Sequence, residues 1–221
     1  LKETLAAAMI SLSRWKPDRA LIDPFCGSGT IPIEAALIGR NIAPGLGREF
    51  MAEKWPNLKR DIWQKARNEA KDLIDNTQPL GITSFDINPA VLELARYHAK
   101  QAGLRNILQF QCQDVRDLRS KYNYGYLVCN PPYGERLSEK KEVEQLYREM
   151  SKAFDRLNTW SFYILTSHPA LEKLVLTFNY FEKLNWVYHD FSANYLPKEI
   201  LERLLERLPP EMHKEALVQH P

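Results

Sequence analysis

Apolar and polar positions follow two periods along the first 167 residues of the chain. Short apolar runs of strand length are separated by stretches in which apolar residues recur every three or four positions, as on one face of a helix. The predicted strands are ALIDPF (20–25), ITSFDIN (82–88), ILQFQCQD (107–114), YGYLVCN (124–130) and WSFYILTS (160–167). The predicted helices cover 2–15, 31–39, 58–76, 89–103 and 141–157. Strands alternating with helices predict an α/β fold, with a mostly parallel sheet covered by helices on both faces.

The pattern weakens after residue 167. Residues 174–191 could supply one or two further strands, residues 197–208 have the pattern of an amphipathic helix, and the last residues resemble a loosely held tail. We therefore predict a domain over 1–190, in which the first 20 residues form a helix before the first strand, and a helical tail without an assigned role over 191–221.

Composition and charge narrow the class of protein. The chain has 221 residues, of which 44% are hydrophobic and 26% charged, as in an ordinary globular domain. It lacks both a signal-peptide pattern and an apolar run of about 18 residues, which predicts a cytoplasmic protein with no membrane span. The net charge of +2 is weak for a stand-alone nucleic-acid binder. With no initiator methionine either, we expect a piece of a longer protein whose other part helps to hold any nucleic acid.

Cysteines and histidines give no sign of a metal site. The three cysteines have no paired spacing and lie in or beside apolar runs, which predicts reduced, packed thiols: Cys26, Cys112 and Cys129. The five histidines are scattered, without the spacing of metal ligands. Basic and aromatic residues between 40 and 63 favour a solvated helix with a packed tryptophan over an RNA-binding face.

A glycine-rich stretch, DPFCGSGT, follows the first predicted strand. In α/β proteins with a parallel sheet, ligands bind at the carboxyl ends of the strands, where this stretch lies. Gly27 and Gly29 allow a tight turn and close approach of a ligand to the backbone, while the N–H groups there favour a negative group. The stretch is not a phosphate-binding P-loop, because no Gly-Lys-Ser/Thr follows, and it lacks the complete G-x-G-x-x-G fingerprint of a dinucleotide site. A glycine-rich turn that binds no ligand is the alternative. The candidate cofactor residues here are Asp23, Pro24, Phe25, Cys26, Gly27, Gly29 and Thr30.

Two carboxylates end the next two strands. Asp86 could accept both hydroxyls of a ribose, and we favour this over a helix cap, which Asn88 could provide better. Asp114 could accept from the exocyclic amine of adenine, but a loop-capping role explains its position almost equally well. Their neighbours Ile87 and Val115 are included in the predicted cofactor site, as is Asn130 at the end of the fourth strand.

The fourth strand ends in NPPY. An exocyclic base amine is a poor nucleophile because its lone pair is delocalised into the ring. Two acceptors that grip its two hydrogens, the Asn130 side-chain oxygen and the Pro131 carbonyl, would favour a pyramidal and reactive nitrogen. Pro131 and Pro132 would stiffen the loop, and Tyr133 offers a flat face for a base turned out of its stack.

DPFCGSGTIPIEAALIGRNIAPG and NPPYGERL together resemble the methyltransferase domain of THUMP-domain RNA methyltransferases. The branch that the chain most resembles is that of the bacterial 23S ribosomal RNA guanine-N2 methyltransferases, whose members are often labelled N6-adenine-specific DNA methylases. The resemblance covers about residues 1–167 and implies a class I, Rossmann-like fold with a sheet of the seven-stranded type. It also implies S-adenosylmethionine as cofactor and a THUMP RNA-binding module before this fragment. The basic, Tyr-rich strand pair that closes Gram-positive relatives is not found.

The resemblance also implies roles for single residues. The DPFCGSGT loop would cradle the methionine part of the cofactor, Asp86 would bind its ribose and Asp114 its adenine. Asn130, Pro131, Pro132 and Tyr133 would form the target-amine site. Thr4 falls where the family's preceding segment approaches the cofactor carboxylate.

The predicted function is methyl transfer from S-adenosylmethionine to an exocyclic base amine, with guanine N2 of 23S ribosomal RNA as the favoured target. The expected partner is RNA, with neither a membrane nor a metal involved. An adenine-N6 methyltransferase acting on DNA or RNA is the alternative, and methylation of a protein amide is a smaller one. A further alternative is a scaffold without catalysis that binds a nucleotide or RNA.

Overall fold

The computed structural model describes residues 1–57, 59–77, 79–133, 140–168, 171, 174 and 184–188. The helices are α1 (Glu3–Ser13), α2 (Thr30–Gly39), α3 (Arg60–Asp72), α4 (Pro89–Gln101) and α5 (Lys140–Phe154). The strands are β1 (Ala20–Asp23), β2 (Ile82–Asp86), β3 (Gln109–Cys112), β4 (Gly125–Cys129), β5 (Ser161–Thr166) and β6 (Leu184–Tyr188). Short 3-10 turns cover Met51–Lys54, Val115–Asp117 and Asp155–Leu157.

The strands form one sheet in the order β3-β2-β1-β4-β5-β6, and every neighbouring pair is parallel. Strand order reverses between β1 and β4, which is the point where such sheets bind ligands. The predicted α/β fold with a parallel sheet is confirmed. The described residues supply six strands, so the seventh strand of the expected type stays a prediction. Of the segment 174–191, β6 is described, while the predicted helix over 197–208 and the tail lie outside the described residues.

Both faces of the sheet are buried at the central strands β1, β4 and β5, which explains why these strands are apolar runs. Successive residues of a strand point to opposite faces. Leu127 packs on the face covered by α5, and its neighbour Val128 packs on the face covered by α1 and α2. Ile164 and Leu165 divide between the same two faces in β5. A sheet covered on one side would have shown alternation instead.

The segment between α2 and β2 packs mainly on itself. Among the α3 residues whose burial is described, 61–72, none is fully buried, and Trp63 stacks on Phe50 with 5.6 Å between ring centroids. This agrees with the predicted solvated helix with a packed tryptophan. Arg67 joins α3 to the preceding loop by donating to the carbonyls of Leu46 and Arg48 at 2.8 and 2.6 Å. The described residues between α2 and β2 therefore form a small substructure attached to the α/β sheet.

The prediction of three packed thiols is wrong for one cysteine. Cys26 and Cys129 are buried, whereas Cys112 is exposed. Cys112 ends β3, an edge strand whose residues are exposed or half-buried. An edge strand has a neighbour on one side only and is covered less than the central strands. Within the described ranges, no helix combines the length and apolar character needed to cross a bilayer.

Candidate active site

The carboxyl ends of the strands bring the predicted residues to one edge of the sheet. Asp23 ends β1, Asp86 ends β2 and Asn130 directly follows β4. A cavity of about 480 Å³ opens there, a volume within the usual range for small-molecule sites. Its lining consists of Pro24, Phe25, Asp86, Ile87, Gln113, Asp114, Val115, Arg116, Asn130, Pro132 and Leu146. Gln113, Arg116 and Leu146 are the lining residues that the sequence analysis missed.

Asp86 holds the glycine-rich loop in place. Its Oδ2 accepts from the Gly27 N–H at 3.0 Å, and its Oδ1 accepts from the Asn88 N–H at 2.9 Å. The loop is tied to the same strand by the Cys26 N–H, which donates to the Phe85 carbonyl at 2.9 Å. Asn88 caps α4 by accepting from a backbone N–H, so Asp86 is not the helix cap. The carboxylate keeps lone pairs for a ligand, and its binding of a ribose stays a prediction.

The two glycines of the loop meet different surroundings. Both have positive φ, +52° at Gly27 and +87° at Gly29. A Cβ on Gly29 would lie 3.1 Å from the Ala95 Cβ, so this glycine allows the loop to pack closely on α4. A Cβ on Gly27 would have no heavy atom within 4 Å, which leaves the backbone accessible to a ligand.

Asp23 lies fully buried at the end of β1. Its Oδ1 accepts from the Phe25 N–H at 3.1 Å, while its Oδ2 is buried and has no hydrogen-bond partner among the described residues. Burial raises the pKa of this carboxyl to about 8, and the nearby charge of Asp86 adds to the effect. The carboxyl is therefore mostly protonated at neutral pH.

Asp114 caps the turn that follows β3. Its Oδ1 accepts from the Arg116 N–H at 2.9 Å, and its Oδ2 pairs with the Arg116 guanidinium at 2.5 Å. This guanidinium lowers the pKa of the Asp114 carboxyl. The predicted loop-capping role of Asp114 is therefore confirmed. Because Asp114 also lines the cavity, its predicted contact with adenine remains open as a second use of the same carboxylate.

The Asn130 amide has a defined orientation. The β4–β5 register pairs Cys129 with Ile164, so Asn130 and Leu165 lie beside each other one residue further along. Asn130 Nδ2 donates to the Leu165 carbonyl at 3.1 Å and also contacts the Tyr133 hydroxyl. A carbonyl can only accept, which identifies the bonded atom as nitrogen and makes Oδ1 the acceptor of this side chain.

Several predicted residues do not line the cavity. Asp23, Cys26, Gly27, Gly29 and Thr30 belong to the glycine-rich loop, and Pro131 and Tyr133 to the proline loop. Thr4 is exposed in the first turn of α1. Glu135 and Arg136, for which the sequence leaves open an ion pair that orients the proline loop or a contact with substrate, lie outside the described residues. Over the described part of the chain, no cluster of three or more His, Cys, Asp or Glu side chains could hold a metal ion.

Comparison with known proteins places the chain in a family. The chain matches the family described as "RMKL-like, methyltransferase domain" over residues 1–192. The chain belongs to this methyltransferase family. It is 51% identical over 173 residues to "Putative RNA methyltransferase YpsC" of Bacillus subtilis, covering 78% of this chain and 45% of that protein. It is 38% identical over 177 residues to "Ribosomal RNA large subunit methyltransferase K/L" of Shewanella frigidimarina, covering 77% and 25%.

Solved structures of other methyltransferases and methylases share the fold. One is described as a "predicted N6-adenine-specific DNA methylase" from Listeria monocytogenes, with TM-score 0.77 and 49% identity over 79% of this chain and 46% of that one. Another is SMU.472, "a putative methyltransferase complexed with SAH", with TM-score 0.76 and 43% identity over the same shares. The class I, Rossmann-like fold is confirmed. The chain spans less than half the length of each of these four proteins.

The predicted cofactor is S-adenosylmethionine, and both the methyltransferase family of the chain and the SAH complex of SMU.472 agree with this prediction. The residues present fit such a group. The backbone at Gly27, beside the cavity-lining Pro24 and Phe25, is open to a ligand. Asp86 and Asp114 place two carboxylates in a cavity whose other walls include the apolar Phe25 and Ile87.

Proposed function

We propose that the domain transfers a methyl group from S-adenosylmethionine to an exocyclic amine of an RNA base, with guanine N2 of 23S ribosomal RNA as the target. The observation that carries this proposal is the orientation of the Asn130 amide, whose nitrogen is held by the Leu165 carbonyl. The same side chain lines the cavity that also contains Asp86 and Asp114. This supports the proposal, because the side chain that keeps a free acceptor oxygen lines the same cavity as the predicted cofactor residues Asp86 and Asp114.

The chemistry follows from the two acceptors of the loop. The bound cofactor supplies an electrophilic methyl group. Asn130 Oδ1 and the Pro131 carbonyl would each accept one N–H of the target amine, which disfavours the planar nitrogen and localises its lone pair. Neither oxygen is a base strong enough to remove a proton, so both would act by orientation and by stabilising the developing charge. The methylated nitrogen would then lose its extra proton to water. Positioning then provides much of the rate acceleration.

RNA is favoured as the substrate by the named relatives. The Shewanella frigidimarina protein carries the name of a ribosomal RNA large-subunit methyltransferase, and the Bacillus subtilis protein is named as an RNA methyltransferase. The net charge of +2 suits a domain that shares RNA binding with another part of a longer protein. A preceding THUMP module would supply that part.

The test is product analysis with the full-length protein. Unmodified 23S ribosomal RNA, made by transcription in vitro, is incubated with S-adenosylmethionine labelled in its methyl group, and nucleosides are identified by mass spectrometry. We expect N2-methylguanosine. Asn130→Ala should abolish product while calorimetry shows nearly unchanged cofactor affinity. Full activity of this variant would overturn the proposed role of the amide, and absence of labelled RNA with the wild-type protein would overturn the choice of substrate.

Adenine N6 is a second candidate target because the Listeria monocytogenes relative carries the name of an adenine-specific DNA methylase. The amine of adenine also has two hydrogens for Asn130 and Pro131, so the loop alone does not separate the two bases. A parallel incubation with the matching DNA discriminates between them. N6-methyladenosine from RNA, or its deoxy form from DNA, would replace the guanine assignment.

A further inference from the structure

Two neighbouring elements anchor the proline loop at both sides of Pro131. On one side, the Leu165 carbonyl of β5 accepts from Asn130 Nδ2 at 3.1 Å. On the other side, the Tyr147 hydroxyl of α5 donates to the Pro132 carbonyl at 2.6 Å. Pro131, whose carbonyl is the second proposed acceptor of the target amine, lies between these two anchored residues.

We propose that Tyr147 is a positioning residue for methyl transfer, which holds the Pro132 carbonyl and thereby fixes the direction of the Pro131 carbonyl. The inference rests on the proposed function, since it assigns a role in the same reaction. Proline has no N–H, so neither Pro131 nor Pro132 can tie the loop down by a backbone donor of its own. A donor from outside the loop can do so, and among the described residues the Tyr147 hydroxyl donates to the Pro132 carbonyl.

Tyr147 is itself well fixed. Its side chain is 0% exposed, and it lies on the buried stripe of α5 together with Val143, Met150 and Phe154. The ring meets His168 edge-on with 5.4 Å between centroids. A side chain packed on all sides holds its hydroxyl in one place, as positioning requires.

A chain of hydrogen bonds extends from this hydroxyl into the end of β5. The Thr166 Oγ1 lies 3.5 Å from the Tyr147 hydroxyl and accepts from the His168 N–H at 3.0 Å. Because the single Tyr147 proton goes to Pro132, the hydroxyl can only accept from Thr166. All three bonds then run in one direction, from His168 toward the loop, and such chains polarise and strengthen each other.

The hydroxyl keeps its proton over the working pH range. Burial is the largest cause that raises the pKa of Tyr147, to about 12. Tyr147 therefore stays a donor to Pro132 and is not a candidate for proton transfer. Its expected contribution is geometric, and a misplacement of about 1 Å in a reacting group can cost about 100-fold in rate.

The first test is Tyr147→Phe, which removes the hydroxyl and keeps the ring. Tyr126→Phe is the matched control, because Tyr126 lies on β4 and stacks on Tyr163 through its ring, a contact that needs no hydroxyl. Turnover is measured per protein molecule that binds S-adenosylmethionine, counted by calorimetry, so that a loss of folded protein does not register. We expect kcat to fall about tenfold or more in Tyr147→Phe, with the KM for RNA and the cofactor Kd within about twofold of wild type.

The second test does not depend on activity. Hydrogen exchange of the Tyr133 amide, followed by mass spectrometry, reports how firmly the proline loop is held. We expect faster exchange in Tyr147→Phe than in wild type or Tyr126→Phe. Thr166→Val removes the hydroxyl that lies beside the Tyr147 hydroxyl. It should change exchange and kcat in the same direction as Tyr147→Phe, but by a smaller factor. If Tyr147→Phe does not fold, Thr166→Val takes its place in both tests.

The outcomes separate the two proposals. Wild-type kcat and wild-type exchange in Tyr147→Phe would overturn the positioning role, provided that the wild-type protein is active. The role would also be overturned if fewer Tyr147→Phe molecules bind S-adenosylmethionine but each molecule that binds it has the wild-type turnover. That result is expected of a residue that only stabilises the fold. If the wild-type protein methylates neither RNA nor DNA, but Tyr147→Phe accelerates exchange, then the proposed function fails while the anchoring of the loop is upheld.

Discussion

The buried carboxyl of Asp23 predicts an unusual dependence of stability on pH. Its pKa in the folded protein is raised to about 8 from the ordinary 3.8, chiefly by burial. Between these values the folded state keeps a proton that the unfolded state has lost. A group of this kind stabilises the folded state most at low pH, and the stabilisation is lost as pH rises toward 8. Asp23→Asn removes the titration while keeping a neutral side chain of similar shape.

The magnitude follows from the two pKa values. From pH 5.5 to 7.5 the folded carboxyl releases its proton only in part, while the unfolded one is already ionised. The free energy of unfolding of wild type, relative to Asp23→Asn, should therefore fall by about 2.5 kcal/mol over this interval, close to the limit of about 1.4 kcal/mol for each pH unit. The difference should level off above pH 8, where Asp23 is ionised in both states.

Urea unfolding without cofactor provides the assay, with fluorescence of the buried Trp160 as a reporter. Both proteins are compared at pH 5.5, 6.5 and 7.5. Asp18→Asn is the control, because Asp18 is 61% exposed, and it should follow the wild-type curve. Carboxyls with lowered pKa, such as Asp114, have the opposite pH dependence but are common to all three proteins and cancel. Parallel curves for wild type and Asp23→Asn would refute the assignment of a neutral Asp23.

Three further predictions concern the glycine-rich loop, its support by Asp86, and the segment that precedes α3. Asp86→Asn turns an N–H toward one of two backbone donors, so we expect weaker cofactor binding by calorimetry and a loss of about 1–3 kcal/mol in unfolding free energy. Gly29→Ala adds a close contact to the cost of positive φ and should destabilise by about 2–4 kcal/mol in urea. Gly103→Ala, with φ +74° and nothing within 4 Å, is its control at about 1 kcal/mol. Arg67→Ala should speed proteolysis of residues 40–57 without changing cofactor affinity; equal cleavage rates would contradict its linking role.

The architecture and the place of the site followed from the sequence alone. In a parallel sheet buried on both faces, neighbouring strand residues such as Leu127 and Val128 must both be apolar, so the strands are visible as continuous runs. Parallel strands also end at one edge, which is why Asp86, Asp114 and Asn130 could be assigned to a common site before their contacts were known. Strand ends moved by one or two residues, as for β3, because ladder hydrogen bonds rather than apolar character set them.

Contacts between distant parts of the chain were decided only by the tertiary structure. The Asp86 carboxylate binds Gly27, 59 residues away, and Asn130 binds Leu165, 35 residues away. The sequence places Tyr147 on an apolar helical stripe but says nothing of where its hydroxyl goes. Partners, burial and hence pKa depend on which elements pack across the sheet, whereas apolar periodicity depends only on the local backbone repeat. For this reason the amino-acid sequence predicts the helix and sheet layers and the edge of the sheet where the site lies. The hydrogen bonds between distant residues are known only from the folded structure.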